Sequence, residues 1–184
     1  MTRSFRLDVC NTWDGHPLPA DRHAHVRVLS RGSEWLVRVD APYHDDPPPA
    51  TPPGSTPRLW EHEVVELMLL GDEQRYLELE FGPHGHYLAL QLHGVRTIVA
   101  QGMALPYSAG IHGNRWRGEA RISVDWLPPG AHATNAFAIA GVGADRRYAA
   151  AFPADGAAPD FHRLDVFEPI AALPTADDGE EGSP

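Results

Sequence analysis

The sequence predicts an all-β protein, an antiparallel β-sandwich of around nine or more short strands. Three observations carry this prediction. Apolar and polar residues alternate over short runs, the period-two pattern of strands with one buried face. Seventeen glycines and 18 prolines among 184 residues place turn signals between those runs. No stretch has the apolar spacing of an amphipathic helix, and strands of this kind are buried by stacking two sheets.

Phe5, Leu7 and Val9 alternate with Arg6 and Asp8, and the run stops at the turn Trp13-Asp14-Gly15. Ala24, Val26 and Val28 alternate with His25 and Arg27. After the turn Arg31-Gly32-Ser33, Trp35, Val37 and Val39 alternate with Leu36, Arg38 and Asp40, which makes a hairpin. Residues 41–58 hold seven prolines. Proline has no N–H to donate to a ladder, so this segment is expected to be an extended surface loop.

Residues 59–92, LWEHEVVELMLLGDEQRYLELEFGPHGHYLALQL, read as two strands, a loop, and a third strand behind the turn Gly82-Pro83-His84-Gly85. A further strand is expected in 95–99, and 100–114, broken by Gly102, Pro106, Gly110 and Gly113, is expected to be irregular. Alternation returns with Trp116, Gly118, Ala120 and Ile122. Residues 125–130, from Asp125 and Trp126 through Pro128 and Pro129, form a short helical turn that the paired prolines stop. An apolar strand follows in 135–143, and 147–152 return beside it. The acidic tail 174–184 lacks apolar anchors and is expected to be disordered.

The strands of 59–92 carry acid inside apolar runs. A buried carboxylate is costly unless it is paired or hydrogen-bonded, so these glutamates need a polar partner, water or a ligand. Register decides which of them share a face. If Leu70 pairs with Tyr76, then Val65, Leu67, Leu69, Leu77, Leu79 and Phe81 form one apolar face. Glu66, Tyr76, Glu78 and Glu80 gather on the other. Pairing Leu70 with Arg75 would split the apolar set. Extending the sheet places Leu88, Leu90 and Leu92 with the core, and Tyr87, Ala89, Gln91 and His93 on the Glu66 face.

The chain is long enough for one buried core and shows one composition regime throughout, so a single domain is expected over 1–170. A net charge of -10, with only 15 basic residues, argues against nucleic acid as the main partner. The single cysteine, Cys10, leaves no internal disulfide and no multi-cysteine zinc site. The N-terminal residues lack an apolar leader pattern, and no run reaches the roughly 18 apolar residues of a membrane span. The expectation is a soluble cytoplasmic protein with no membrane partner.

TWDG at 12–15, the stretch 59–92, NAFAIAG at 135–141, RYAAAFP at 147–153 and PDFHRLDVF at 159–167 occur in an order that resembles an uncharacterised family. That family includes a human chromosome 4 open-reading-frame protein and has no established activity. It tends to have histidine before the glycine of NAFAI-x-G, where this chain has Ala140. More distantly, Leu-Trp-x-x-x-x-Val-Glu and the terminal Asp-Phe-His are similar to DOMON-like sandwiches related to carbohydrate-binding module family 9. That resemblance implies a sugar clamped by aromatic rings, with a strand glutamate on its hydroxyls. Trp60 and Glu66 match by position, and Trp126 and Phe161 are the candidates for the second ring.

A sugar site needs a flat aromatic surface and a few placed polar groups. The expected ligand-binding set is Trp60, Glu66, Glu78, Gln91, Trp126, Phe161 and His162, for a saccharide or another polyhydroxylated small molecule, without a cofactor. Among the eleven histidines, His84, His86 and His93 lie close in the chain, but their spacing fits no standard zinc pattern. They are expected to be solvated turn histidines, and no metal is expected. The balance leans away from an enzyme: phosphate loops and a Gly-x-Ser-x-Gly elbow are absent. Two alternatives remain at this level. One is a saccharide hydrolase using Glu66 with Glu78 or His162. The other is a protein-interaction domain using the proline-rich loop.

Overall fold

The computed structural model describes residues 4–176, and its strands fall into two facing sheets. Among those residues there are fourteen strands, short 3-10 turns and no α-helix. The first sheet is built from β1 (Phe5–Val9), β3 (Ala24–Arg31), β4 (Glu34–Pro42), β11 (Arg115–Ser123) and β10 (Tyr107–His112), in that spatial order. The second runs β2 (Asn11–Thr12), β13 (Arg147–Ala150), β12 (Ala133–Ala140), β6 (Val64–Leu70), β7 (Arg75–Phe81), β8 (His86–His93) and β5 (Gly54–Ser55). β14 (Glu168–Pro169) adds to β12, and β9 (Ile98–Gln101) adds to β8.

The alternating residues of the first hairpin meet as their pattern requires, with Val26 opposite Val39 and Val28 opposite Val37. Their side chains join Phe5, Leu7, Trp35 and Trp116 from the first sheet and Val65, Leu67, Leu69, Leu77, Leu79 and Phe81 from the second, in one core between the sheets. Phe5 packs edge-on against Trp35 at 5.9 Å. Each fully buried side chain of this size removes apolar surface worth about 1.5–3 kcal/mol from water.

Leu70 pairs with Tyr76 and Glu66 with Glu80, the register expected from the apolar face. The next strand differs from expectation. Glu80 lies opposite Leu88, Glu78 opposite Leu90 and Tyr76 opposite Leu92, so the three leucines share the Glu66 face. Ala89 and Tyr87 point into the core between the sheets. The cause is a second apolar cluster on the outer face of this sheet, where Leu88, Leu90 and Leu92 pack with Leu59, Val64, Met68, Tyr76 and Phe137. Both faces of β8 are therefore covered, and its leucine alternation does not distinguish one from the other.

β10 occupies part of the segment expected to be irregular. Its Tyr107 donates across the sandwich to the carbonyl of Gly82 at 2.8 Å and packs against Phe81 and Tyr87. Gly118 on β11 makes room for that ring, since a Cβ there would lie 2.6 Å from the Tyr107 hydroxyl.

The proline-rich loop stays at an edge, as expected, but it is tied down. Gly54–Ser55 pairs with β8, the Glu63 carboxylate accepts the amides of His44 and Asp46, and Asp46 accepts from the Gly141 amide. His86 is buried and bonds the Thr51 carbonyl at 2.8 Å, while the half-buried His84 packs edge-on against Tyr43. Neither is the solvated turn residue expected, because this loop folds back over the turn. The expected tail lies outside the described residues from 177 onward. Pro174, its first residue, accepts a hydrogen bond from the Arg6 amide.

Candidate functional site

The outer face of the larger sheet is covered by two pieces of irregular chain. One is the 3-10 turn Leu59–Glu61, which carries Trp60, and the other is the segment 159–167. Where they leave the sheet uncovered, a cleft of about 370 Å³ opens over β6, β7 and β8. Glu66 and Glu78 lie in its floor, and Trp60, Tyr148, Phe161 and His162 stand around it. This volume lies within the usual ~300–1,000 Å³ range of small-ligand sites.

Each wall residue is fixed by identifiable contacts. Arg58 takes a left-handed conformation (φ 59°) that swings the chain into the Trp60 turn. Arg146 holds that turn by donating to the carbonyls of Trp60 and Glu61, and also to Gly141 on its own side of the wall. Its guanidinium lies 5.9 Å from the centre of the Tyr148 ring. Phe161 stacks on Phe137 at 4.1 Å with the rings nearly parallel, and meets Tyr148 edge-on at 6.1 Å. Trp60 keeps 39% of its surface exposed, so its ring is available to a ligand.

His162 is oriented by a relay. The Arg96 amide donates to the Tyr76 hydroxyl at 2.9 Å, and that hydroxyl lies 2.7 Å from Nδ1 of His162. This bond and the amide bond fix the hydroxyl between the Arg96 backbone and the His162 ring. Nε2 faces Glu78 Oε2 at 4.0 Å. Burial, aided by Arg96, pushes His162 down to about 4, so the ring is neutral at pH 7. Arg96 is itself committed to Asp160 at 2.7 Å.

The carboxyls are the unusual part. Glu66, Glu78 and Glu80 are 2%, 4% and 0% exposed. Oε2 of Glu78 and both oxygens of Glu80 lack a well-aligned hydrogen-bond partner, and the closest groups to them are each other's carboxyls and the Trp60 backbone beside Glu80. Burial raises Glu66 well above the ordinary carboxylate value, and the negative charge of Glu78 adds to that effect. Burial likewise raises Glu80, with Glu66 and Glu78 adding to it. Glu78 is pushed up to about 7 by burial, against the pull of the adjacent Glu80 carboxyl and of Arg96. The cluster therefore holds protons at neutral pH, and its protonated carboxyls can both donate and accept.

Five of the seven residues expected from sequence line this one cleft: Trp60, Glu66, Glu78, Phe161 and His162. Gln91 and Trp126 do not. The corrected β8 register turns Gln91 to the opposite face, where its amide donates to the Trp126 carbonyl at 3.2 Å and Trp126 packs on the core between the sheets. Arg96 and Tyr148 line the cleft without having been singled out. Tyr148 lies within the RYAAAFP motif, which was its available signal. Arg96 has none, since its φ of 60° is a conformation that favours glycine.

A second hollow of about 440 Å³ opens at the end of the sandwich, with Ala24, Ala41, Val65 and Trp116 in its lining. Two acids line it: Asp14 accepts from the Thr12 hydroxyl, and Glu63, which burial pushes up to about 7, has both oxygens occupied by the loop amides. The hollow presents no carboxyl without a well-aligned partner, in contrast to Glu78 in the first cleft.

No protein-family model matches the chain. Among solved structures, a candidate carbohydrate-binding protein from Bacteroides uniformis superposes with a TM-score of 0.65 at 17% identity, over 89% of this chain and 83% of that one. A carbohydrate-binding module of family 9 from Caldicellulosiruptor kristjanssonii, solved with glucose, gives 0.44 at 14% identity over 86% and 80% of the two chains. The first of these shows the β-sandwich fold. Among sequence relatives, the UPF0462 protein C4orf33 homologs of Danio rerio and Mus musculus are each 40% identical, over 86% and 87% of this chain and 84% and 88% of theirs. The human UPF0462 protein C4orf33 is 36% identical over 89% of this chain and 85% of its own length. The five sequence motifs and these identities agree, and the chain belongs to the UPF0462 (C4orf33) family.

Proposed function

We propose that this protein is a binding module of the DOMON-like kind that holds a saccharide or another polyhydroxylated small molecule in the Trp60–Glu66 cleft. The observation that carries the reading is the junction, in one open cleft, of an exposed indole with the buried carboxyls of Glu66 and Glu78, Oε2 of Glu78 lacking a well-aligned partner. A pyranose offers an apolar face to an aromatic ring and hydroxyls to a polar floor, and this cleft has both surfaces. The fold shared with the candidate carbohydrate-binding protein of Bacteroides uniformis supports the same reading.

Hydrolysis of a saccharide is the second reading: Glu78, pushed up to about 7, and Glu66, raised well above the ordinary value by burial and by the Glu78 charge, are two carboxyls in one cleft that can hold different protonation states. The tied-down proline-rich loop offers little free chain for a partner protein. A glycan array followed by calorimetry tests the proposal. Trp60→Ala is expected to weaken a detected affinity by roughly 1–1.5 kcal/mol, about tenfold, through loss of stacking. An empty panel, or an unchanged affinity in Trp60→Ala, contradicts it.

A further inference from the structure

We propose that the cleft selects a ligand carrying a protonated amine, which on the saccharide reading it rests on means an amino sugar. The geometry supplies the reason. Oε2 of Glu78 is buried in the cleft floor without a well-aligned donor, its carboxyl having only the acidic Glu80 carboxyl against it, and Glu66 lies beside it in the same floor. A primary ammonium brings three N–H donors and the positive charge that the two carboxyls lack. Trp60, Tyr148 and Phe161 stand around the cleft, and aromatic faces attract a desolvated cation.

The two arginines nearest the cleft are already committed. Arg96 pairs with Asp160, and Arg146 is bound to three backbone carbonyls. The charged and titratable groups around the carboxyls are Tyr76 and Glu80 on β7, Tyr148 on β13, His162 and Asp160 on the covering segment, Arg96 beyond β8 and Arg146 beyond β12. Among the described residues, neutral His162 at 4.0 Å is the only basic group within ion-pair distance of Glu66, Glu78 or Glu80. Entry of an ammonium ionises a carboxyl of the floor, and the proton it loses passes to solvent. Binding and proton release are thus one event.

Calorimetry of the full chain at pH 7, in two buffers of different ionisation enthalpy, tests this with glucosamine, N-acetylglucosamine, glucose and butylamine. Glucosamine is expected to bind about tenfold or more tighter than the two neutral sugars, releasing up to about one proton per ligand. Glu78→Gln replaces the titratable carboxyl by a neutral amide and is expected to bring glucosamine down to the affinity of glucose and to abolish the proton release. Glu66→Gln is the second variant should Glu78→Gln unfold. Equal affinity for glucose and glucosamine without proton release overturns the inference and leaves the saccharide reading standing. Binding of butylamine with proton release, where no sugar binds, upholds the cation and removes the saccharide. No binding by any of the four removes both.

Discussion

Glu78 shares with Glu66 and Glu80 the cost of a carboxyl buried in the sheet face. Raising its carboxyl from 4.5 to about 7 corresponds to roughly 3 kcal/mol of stability forgone at high pH. Glu63, Glu66 and Glu80 are raised in the same sense. Groups that bind protons more tightly in the folded state contribute fully below the unfolded value of 4.5, and lose that contribution as pH rises through their folded values. His162 acts oppositely: with its folded value lowered from 6.5 to about 4, folding gains as pH rises between those two values. Asp8 and Asp40, lowered from 3.8, act only at more acid pH. Four carboxyls outweigh one imidazole, so stability should fall from about pH 5 to pH 8. Urea unfolding across that range measures it. Glu80→Gln should flatten the slope and raise stability at pH 8, and an unchanged slope would remove Glu80 from this balance.

At the scale of elements, Gly118 shows how a strand pair depends on one absent side chain. Tyr107 is pinned by its bond to the Gly82 carbonyl and by packing on Phe81, so it cannot retreat from a Cβ at 118. Gly118→Ala should cost about 1–3 kcal/mol, the usual range for overpacking, read as a lower urea midpoint at unchanged slope. A neutral result would mean that β10 is free to move outward. The same elements mark what sequence could tell. The β6–β7 register was legible because only one pairing keeps Val65, Leu67, Leu69, Leu77, Leu79 and Phe81 together. β8 was not, because its leucines pack under a covering layer that no local pattern announces. β10 was hidden by Gly110 and by half-exposed residues, and its reason for pairing lies in a tyrosine bond to a distant carbonyl.

For the whole molecule, the sandwich alone does not make the cleft. It arises because the Trp60 turn and the 159–167 segment, about a hundred residues apart in the chain, cover the same sheet face from two sides. Sequence located Trp60, Glu66, Glu78, Phe161 and His162 through an anomaly, acid in an apolar strand, and through motif resemblance. It misplaced Gln91 by one strand register and Trp126 by the side of the sheet, and it had no way to find Arg96. The central claim is that this cleft, and not the larger hollow between the sheets, is where a small molecule binds. Two-dimensional NMR of the labelled chain, titrated with glucosamine and glucose, tests that claim most directly. Shift changes centred on the Trp60 indole and on the amides around Glu66, Glu78, Tyr148 and His162 are the predicted result. Changes centred on Leu18, Ala41 and Trp116 in the second hollow, or no changes at millimolar ligand, would contradict it.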